Sequence, residues 1–238
     1  MIEFRDVSYR ISGNLILDQL NLSVDDGRTL VLLGRSGSGK TTALKMLNGL
    51  LFPTSGQVLV ENRATTDWDL IQLRRSIGYV IQDVGLFPHF TIGENVGLVP
   101  RLKGWEPSRV AARVSELLDQ VGLEPARFRD RYPRQLSGGQ RQRVGVARAL
   151  AAEPNMLLFD EPFGALDPVT RLELQDQFLE LRDRVRKTSI FVTHDVREAL
   201  RLGTEIALLY RGRLEVLTSP AQFLNSNGPE ARAFLSTL

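Results

Sequence analysis

The segment Gly34-Arg35-Ser36-Gly37-Ser38-Gly39-Lys40-Thr41 matches the spacing G-x-x-x-x-G-K-[ST] and lies between two apolar runs. Glycines at these intervals let successive backbone N–H groups turn inward around an anion, and the following helix adds the partial positive charge of its N-terminus. The chemistry that fits is binding of a nucleoside triphosphate: Lys40 reaches the β- and γ-phosphates, Thr41 ligates Mg²⁺ and Thr42 touches the α-phosphate. From average residue frequencies the four fixed positions arise by chance in about one chain in a hundred of this size, so a carboxylate is needed to support the match. Met156-Leu157-Leu158-Phe159-Asp160-Glu161 ends an apolar run with two of them. Asp160 suits Mg²⁺. Glu161 need not share its direction on a strand, so it is free to polarise an attacking water as general base.

A third segment, Leu136-Ser137-Gly138-Gly139-Gln140, precedes an Arg-rich helical pattern and has the makings of a second anion site. By composition alone this pentapeptide is expected in roughly one of several thousand chains, so it discriminates where the first two motifs do not. One γ-phosphate has no use for two complete cradles from one subunit. The economical arrangement is a head-to-tail dimer that grips ATP between the Lys40 loop of one chain and the Ser137 loop of another.

The elements that must hold these groups follow from the apolar pattern. Residues 2–8 and 15–24 alternate as half-buried strands, and 29–33 is a fully apolar run suited to a central parallel strand. A helix is expected over 41–50, with strands at 57–60, 77–81, 156–159, 189–192 and 206–209 and helices at 169–185 and 196–202. From 107 to 150 the period turns helical, with Val110, Val114, Leu117, Leu118 and Val121 on one face. Together these predict an α/β fold whose parallel sheet is interrupted by a helical insertion. The 238 residues carry a formal net charge of +2 and no cysteine. That excludes a disulfide framework, a thiolate zinc site and a cysteine nucleophile, and it argues against a basic nucleic-acid surface. No export signal is read at the start, and no apolar run is long enough to span a bilayer. A cytoplasmic protein is expected, with any membrane role peripheral.

In the order and spacing of these motifs the chain resembles the ATP-binding cassette (ABC) ATPases over nearly its whole length. The family elements fall on Gly34–Thr42, on Gln82 in "YVIQD", on Leu136–Gln140, on Asp160 and Glu161, on Ala165-Leu166-Asp167, and on His194 in "VTHD". The resemblance implies a P-loop NTPase with a RecA-like core and N-terminal antiparallel β region at 1–83 and 151–218. It places a helical insertion carrying the signature at 84–150 and a short tail at 219–238. It further implies that Gln82 joins Thr41 and Asp160 at Mg²⁺ and links that region to a membrane partner. Asp167, like Ser137, Gly138, Gly139 and Gln140, then contacts the nucleotide of the other subunit, and His194 contacts the γ-phosphate or positions the water. One position departs from the pattern. The aromatic on which these cassettes stack adenine counts back to Ile11, while Tyr9 stands two residues earlier on the same strand face.

"DEPFGALDP" resembles importer ATPases, and "IGYVIQDVGLFPHFTIGENVGLVPRLKGW" with "RYPRQLSGGQ" is similar to cassettes of quaternary-amine importers for glycine betaine, choline or carnitine. That resemblance implies a pair of cassettes, identical or paralogous, working with integral membrane permease subunits and a solute-binding protein at the cytoplasmic face of the membrane. Many such cassettes carry a C-terminal CBS pair, which is not expected in a chain ending at Leu238. Two rivals belong to other classes. A small-molecule kinase would have no use for Leu136–Gln140. A soluble ABC machine acting on nucleic acid would need more than the arginines at 127, 129, 131, 134, 141 and 143, which lack an interleaved aromatic platform beyond Phe128 and Tyr132. No nucleic-acid partner is expected, and another small solute, such as an amino acid, is the alternative cargo.

Overall fold

The computed structural model describes residues 1–164 and 166–238, so Ala165 of the expected Ala165-Leu166-Asp167 loop lies outside the described residues. In chain order the elements begin with β1 (Ile2–Ile11), β2 (Asn14–Val24), β3 (Thr29–Leu33), α1 (Lys40–Leu47), β4 (Ser55–Val60), β5 (Arg63–Ala64) and α2 (Leu70–Ser76). They continue with β6 (Ile77–Val80), α3 (Ile92–Leu102), α4 (Pro107–Gln120), α5 (Pro125–Phe128), α6 (Gly138–Leu150), β7 (Met156–Asp160) and α7 (Pro168–Val185). The last are β8 (Thr188–Thr193), α8 (Val196–Leu202), β9 (Glu205–Tyr210), β10 (Arg213–Thr218), α9 (Pro220–Phe223) and α10 (Pro229–Leu235). Two units form, one from Met1–Arg74 with Lys187–Leu238 and the other from Arg75–Arg186.

The first unit has an antiparallel sheet in the order β2-β1-β4-β5. It also has a run in which β3 lies parallel to both β8 and β9, with β10 antiparallel beside β9. Every residue of β3 is buried, as is every residue of β8; β3 is apolar after Thr29, whereas β8 carries the apolar run Ile190–Val192 between buried hydroxyl residues. The register pairs Leu33 with Thr193, so these strands end side by side. Helix α1 stops at Leu47, short of the expected 50: Asn48 is the C-cap, and Gly49 leaves the helical region at φ +63°.

In the second unit β6 and β7 are parallel, with Val80 opposite Phe159. The helical stretch expected from 107 divides into α4, α5, a 3₁₀ turn at Pro133–Gln135, and α6. On α4, Val110, Val114, Leu117 and Leu118 form the buried stripe that their spacing predicts. Helix α3, not foreseen from the apolar pattern, starts with a reciprocal cap: Thr91 Oγ1 accepts the Glu94 N–H at 3.1 Å, and the Glu94 carboxylate accepts the Thr91 N–H at 2.7 Å. One turn in, the fully buried Asn95 organises the preceding loop. Its amide oxygen accepts from Phe87 N at 2.8 Å, and Nδ2 donates to the carbonyls of Phe87 (3.1 Å), Phe90 (3.2 Å) and Thr91 (3.0 Å). The rings of Phe87 and Phe90 pack 5.4 Å apart, with His89 edge-on to Phe90 at 4.6 Å. Asn95→Ala strips these main-chain groups of their partner and should lower the unfolding free energy by about 2–3 kcal/mol in urea titrations, with residues 87–91 losing hydrogen-exchange protection first.

Candidate nucleotide site

In the first unit the loop from Gly34 to Gly39 joins the end of β3 to the start of α1. Gly39 caps α1 in the left-handed region at φ +101°. A Cβ there would lie 2.6 Å from Leu17 Cδ2 and 3.0 Å from the Ile16 carbonyl, so only glycine fits both the backbone and the space. At Gly34 a Cβ would come within 2.5 Å of the Leu209 carbonyl and of Ser38 Oγ. Lys40 is buried, and its ammonium donates to the carbonyls of Gly34 at 2.7 Å and Arg35 at 3.0 Å. The Arg35 carbonyl also accepts the Ser38 N–H at 3.1 Å. Arg35, Ser36 and Gly37 are exposed, and Thr41 and Thr42 are half-buried on the first turn of α1. Ser38 Oγ is buried and makes no hydrogen bond among the described residues. A buried hydroxyl without a partner, a lysine folded onto loop carbonyls and glycines that no side chain can replace fit a cradle for phosphate oxygens.

Because Leu33 pairs with Thr193, His194 leaves β8 beside the strand end that enters the phosphate loop, where ligands of parallel sheets bind. His194 is exposed on a braced turn. The Thr193 hydroxyl donates to Glu198 at 2.6 Å and accepts from Asp195 N at 3.0 Å, and the Asp195 carboxylate caps α8 through Arg197 N at 2.8 Å. Tyr9 is half-buried and pairs with Leu17, the residue packed on Gly39, whereas Ile11 is 53% exposed and pairs with Asn14.

The second unit groups the carboxylates. The β6–β7 register sets Gln82, exposed just beyond β6, near the strand end formed by Asp160. Asp160 is buried and accepts a hydrogen bond from the Tyr79 hydroxyl at 3.3 Å. Burial pushes the Tyr79 phenol well above its ordinary value, and the negative charge of Asp160 and this hydrogen bond add to the shift. Glu161 leaves the strand at φ +45°. That left-handed conformation costs a residue with a Cβ about 1 kcal/mol and takes Glu161 out of the alternation that orients Asp160. The Glu161 carbonyl accepts the Gly164 N–H at 3.2 Å.

Ser137 and Gln140 form a capping box on α6: Ser137 Oγ accepts the Gln140 N–H at 3.3 Å, and the Gln140 side chain accepts the Ser137 N–H at 3.0 Å. Ser137 and Gly138 are exposed; Gly139 is buried against Thr170, where an added Cβ would lie 2.6 Å from Cγ2. Asp167 caps α7 by accepting the Thr170 N–H at 3.0 Å, and that backbone hydrogen bond holds its carboxyl below the usual range. The N-termini of α6 and α7 thus adjoin through Gly139 and Thr170, with Ser137, Gly138 and Asp167 open to solvent.

Near the carboxylates, Tyr79 and Arg148 escaped the sequence reading. Tyr79 stands three positions before Gln82, and only the strand register shows that it faces Asp160. Arg148, far along α6, donates to the carbonyls of Gly85 at 2.7 Å and Val84 at 2.5 Å, pinning the chain that follows Gln82. Burial lowers its pKa from the ordinary arginine value.

The phosphate loop and the parallel strands around it define a P-loop NTPase. The profile described as "ABC transporter" matches residues 17–164, and the chain belongs to the ABC transporter family. It is 51% identical over 208 residues to the osmoprotectant import ATP-binding protein OsmV of Salmonella typhimurium, covering 87% of this chain and 54% of that protein. It is 46% identical over 227 residues to the carnitine transport ATP-binding protein OpuCA of Listeria monocytogenes, covering 95% and 57%. The chain therefore spans little more than half the length of these curated relatives. Among solved structures, the dimeric post-hydrolysis state of the ATP-binding cassette MJ0796 bound to ADP and Pi superposes with a TM-score of 0.82 at 35% identity, covering 92% of this chain and 99% of that one. No helix among the described residues is long and apolar enough to cross a membrane.

The raised phenol of Tyr79 has a measurable consequence. Its contribution to stability is complete below the unfolded tyrosine pKa of about 10 and is lost as pH rises through the higher folded value. Ultraviolet titration should show one of the four tyrosines ionising late, and Tyr79→Phe should abolish that step and flatten the alkaline fall in stability.

Proposed function

We propose that the chain is the ATP-hydrolysing subunit of an ABC import system, closing as a head-to-tail dimer on two ATP molecules and driving a membrane permease for glycine betaine, choline or carnitine-type solutes. The phosphate loop carries the reading: a buried lysine, an unpartnered Ser38 hydroxyl and glycine-only positions at the end of a parallel strand. The solute class rests on likeness to the osmoprotectant and carnitine import ATP-binding proteins. We assign the core to 1–83 and 151–218, the inserted helical subdomain to 84–150 and a tail to 219–238, as the motifs suggest.

In this reading the loop amides and Lys40 take the β- and γ-phosphates, Lys40 giving up its hold on the Gly34 and Arg35 carbonyls, and Thr42 contacts the α-phosphate. Tyr9, half-buried beside the residue that packs on Gly39, is better placed than the exposed Ile11 to cover the base. Thr41, Gln82 and Asp160 would hold Mg²⁺, which when bound offsets the phosphate charge. Glu161 accepts the proton of the water that attacks the γ-phosphorus, and His194 steadies the phosphate oxygens. Positioning and electrostatics supply most of the acceleration, since in-line water attack leaves little covalent chemistry to the protein. The exposed Ser137, Gly138 and Asp167, with Gly139 and Gln140, serve the nucleotide of the opposing subunit; the dimeric form of a similar cassette supports this. The Phe87–Phe90 loop braced by Asn95 faces the permease, and the subunit works at the cytoplasmic surface of the membrane with a solute-binding protein on the other side.

Glu161→Gln keeps the shape and removes the base, so turnover should fall about 10²–10⁴-fold while ATP holds a stable dimer on size-exclusion chromatography. Wild-type turnover in this variant would refute the assigned role. The shared site is tested by mixing Lys40→Ala with Ser137→Arg chains, each inactive alone. A head-to-tail heterodimer contains one intact site, which should trap labelled nucleotide with vanadate on the Ser137→Arg chain. No trapping, with heterodimers demonstrated by tag pull-down, would sink the composite site.

A further inference from the structure

The side chain of Arg35, the second residue of the phosphate loop, reaches Glu230, its Nε donating to Glu230 Oε1 at 2.5 Å. Arg35 is 67% exposed at its side chain, but Glu230 is only 7% exposed. Ion pairs fully in water contribute little; a carboxylate withdrawn from water must have its charge matched, and Arg35 matches it. The main chain of the same residue is part of the cradle, its carbonyl accepting from Lys40 Nζ and Ser38 N. Pulling on the Arg35 side chain therefore sets the acceptor around which the lysine and the loop are arranged.

Glu230 is itself held. Its N–H and that of Ala231 both donate to Glu215 Oε1 of β10, each at 3.1 Å, which fixes the first turn of α10. The turn between β9 and β10 reaches the same loop, with Gly212 N donating to the Ser38 carbonyl at 3.2 Å. At the far end of α10, Arg197 of α8 donates to the main-chain oxygens of Thr237 at 3.3 Å and Leu238 at 3.0 Å. The segment from β10 to residue 238 thus touches the phosphate loop through Glu230 and, through Thr237 and Leu238, the helix that starts two residues after His194.

We infer that Glu230 is a positioning residue of the nucleotide site, holding the phosphate loop through Arg35 and making α10 part of the machinery that binds ATP. The inference rests on the ATPase reading above. Its test is equilibrium binding of a ribose-labelled fluorescent ATP, with steady-state kcat and KM, on the full chain carrying Glu230→Ala, Glu230→Gln, Arg35→Ala and the pair Arg35→Ala/Glu230→Ala. Glu230→Ala should raise Kd and KM about 5–10-fold with kcat within about twofold. Glu230→Gln keeps the volume and one acceptor and should fall between it and the unaltered chain. In the Arg35→Ala background the loss of Glu230 should add less than about twofold, because its route to the loop is already cut. Wild-type affinity in Glu230→Ala, or full multiplicative effects in the double variant, would overturn the inference, as would unfolding of both Glu230 variants by circular dichroism, which would mark a purely structural residue. Failure of the unaltered chain to bind ATP would instead bring down the ATPase reading, and this inference with it.

Discussion

A buried ammonium is costly in a protein interior unless its N–H groups find acceptors, and at Lys40 the backbone of its own loop supplies two of them. Most of the first unit follows from that requirement. The Gly34 and Arg35 carbonyls turn toward the lysine only if the loop curls, the curl needs a left-handed residue at 39, and the space beside that residue is taken by Leu17 of the antiparallel sheet. Strand β3, buried throughout, anchors one end of the curl and α1 the other. The same carbonyls that keep the lysine at rest are weak competitors for it once a charged phosphate arrives, since a charge-assisted bond to an anion is the stronger of the two.

Backbone conformation and helix capping, more than side-chain identity, prepare the second unit. Glu161 is separated from Asp160 by a left-handed turn, so two adjacent carboxylates of the same chemistry occupy different surroundings. Ser137 and Asp167 each cap the helix they precede, which fixes their rotamers at exposed positions where side chains would otherwise be mobile. Capping here is compatible with a second duty, because each oxygen that accepts an N–H retains another lone pair.

Strands buried on both faces were legible because their apolar runs are too short for a helix and are bounded by turn residues, and the stripe on α4 followed from its period alone. The family profile and the similar cassettes agree with the P-loop fold expected from residues 34–41, 136–140 and 160–161. Helix α3 was not legible: its start is set by the Thr91–Glu94 cap, and its apolar positions are diluted by Gly93, Gly97 and Pro100. Strand β10 is half-buried at most positions, so its apolar residues give no run to detect. Tyr79, Arg148 and Glu230 could not be found from spacing because each acts on a residue distant in sequence, at Asp160, Val84 and Arg35 respectively.

Helix α6 is a rod of 13 residues, about 20 Å long at 1.5 Å per residue. Ser137 stands at one end, and Arg148, near the other, grips the carbonyls of Val84 and Gly85. A stiff rod turns as a unit: if residues 84–85 are pushed sideways the Arg148 end follows, and with Gly139, packed against Thr170, as the pivot, the short arm bearing Ser137 swings the opposite way through a smaller arc. Leverage of this kind asks for no strain within the helix, only that its grip at Arg148 be firmer than the sideways load.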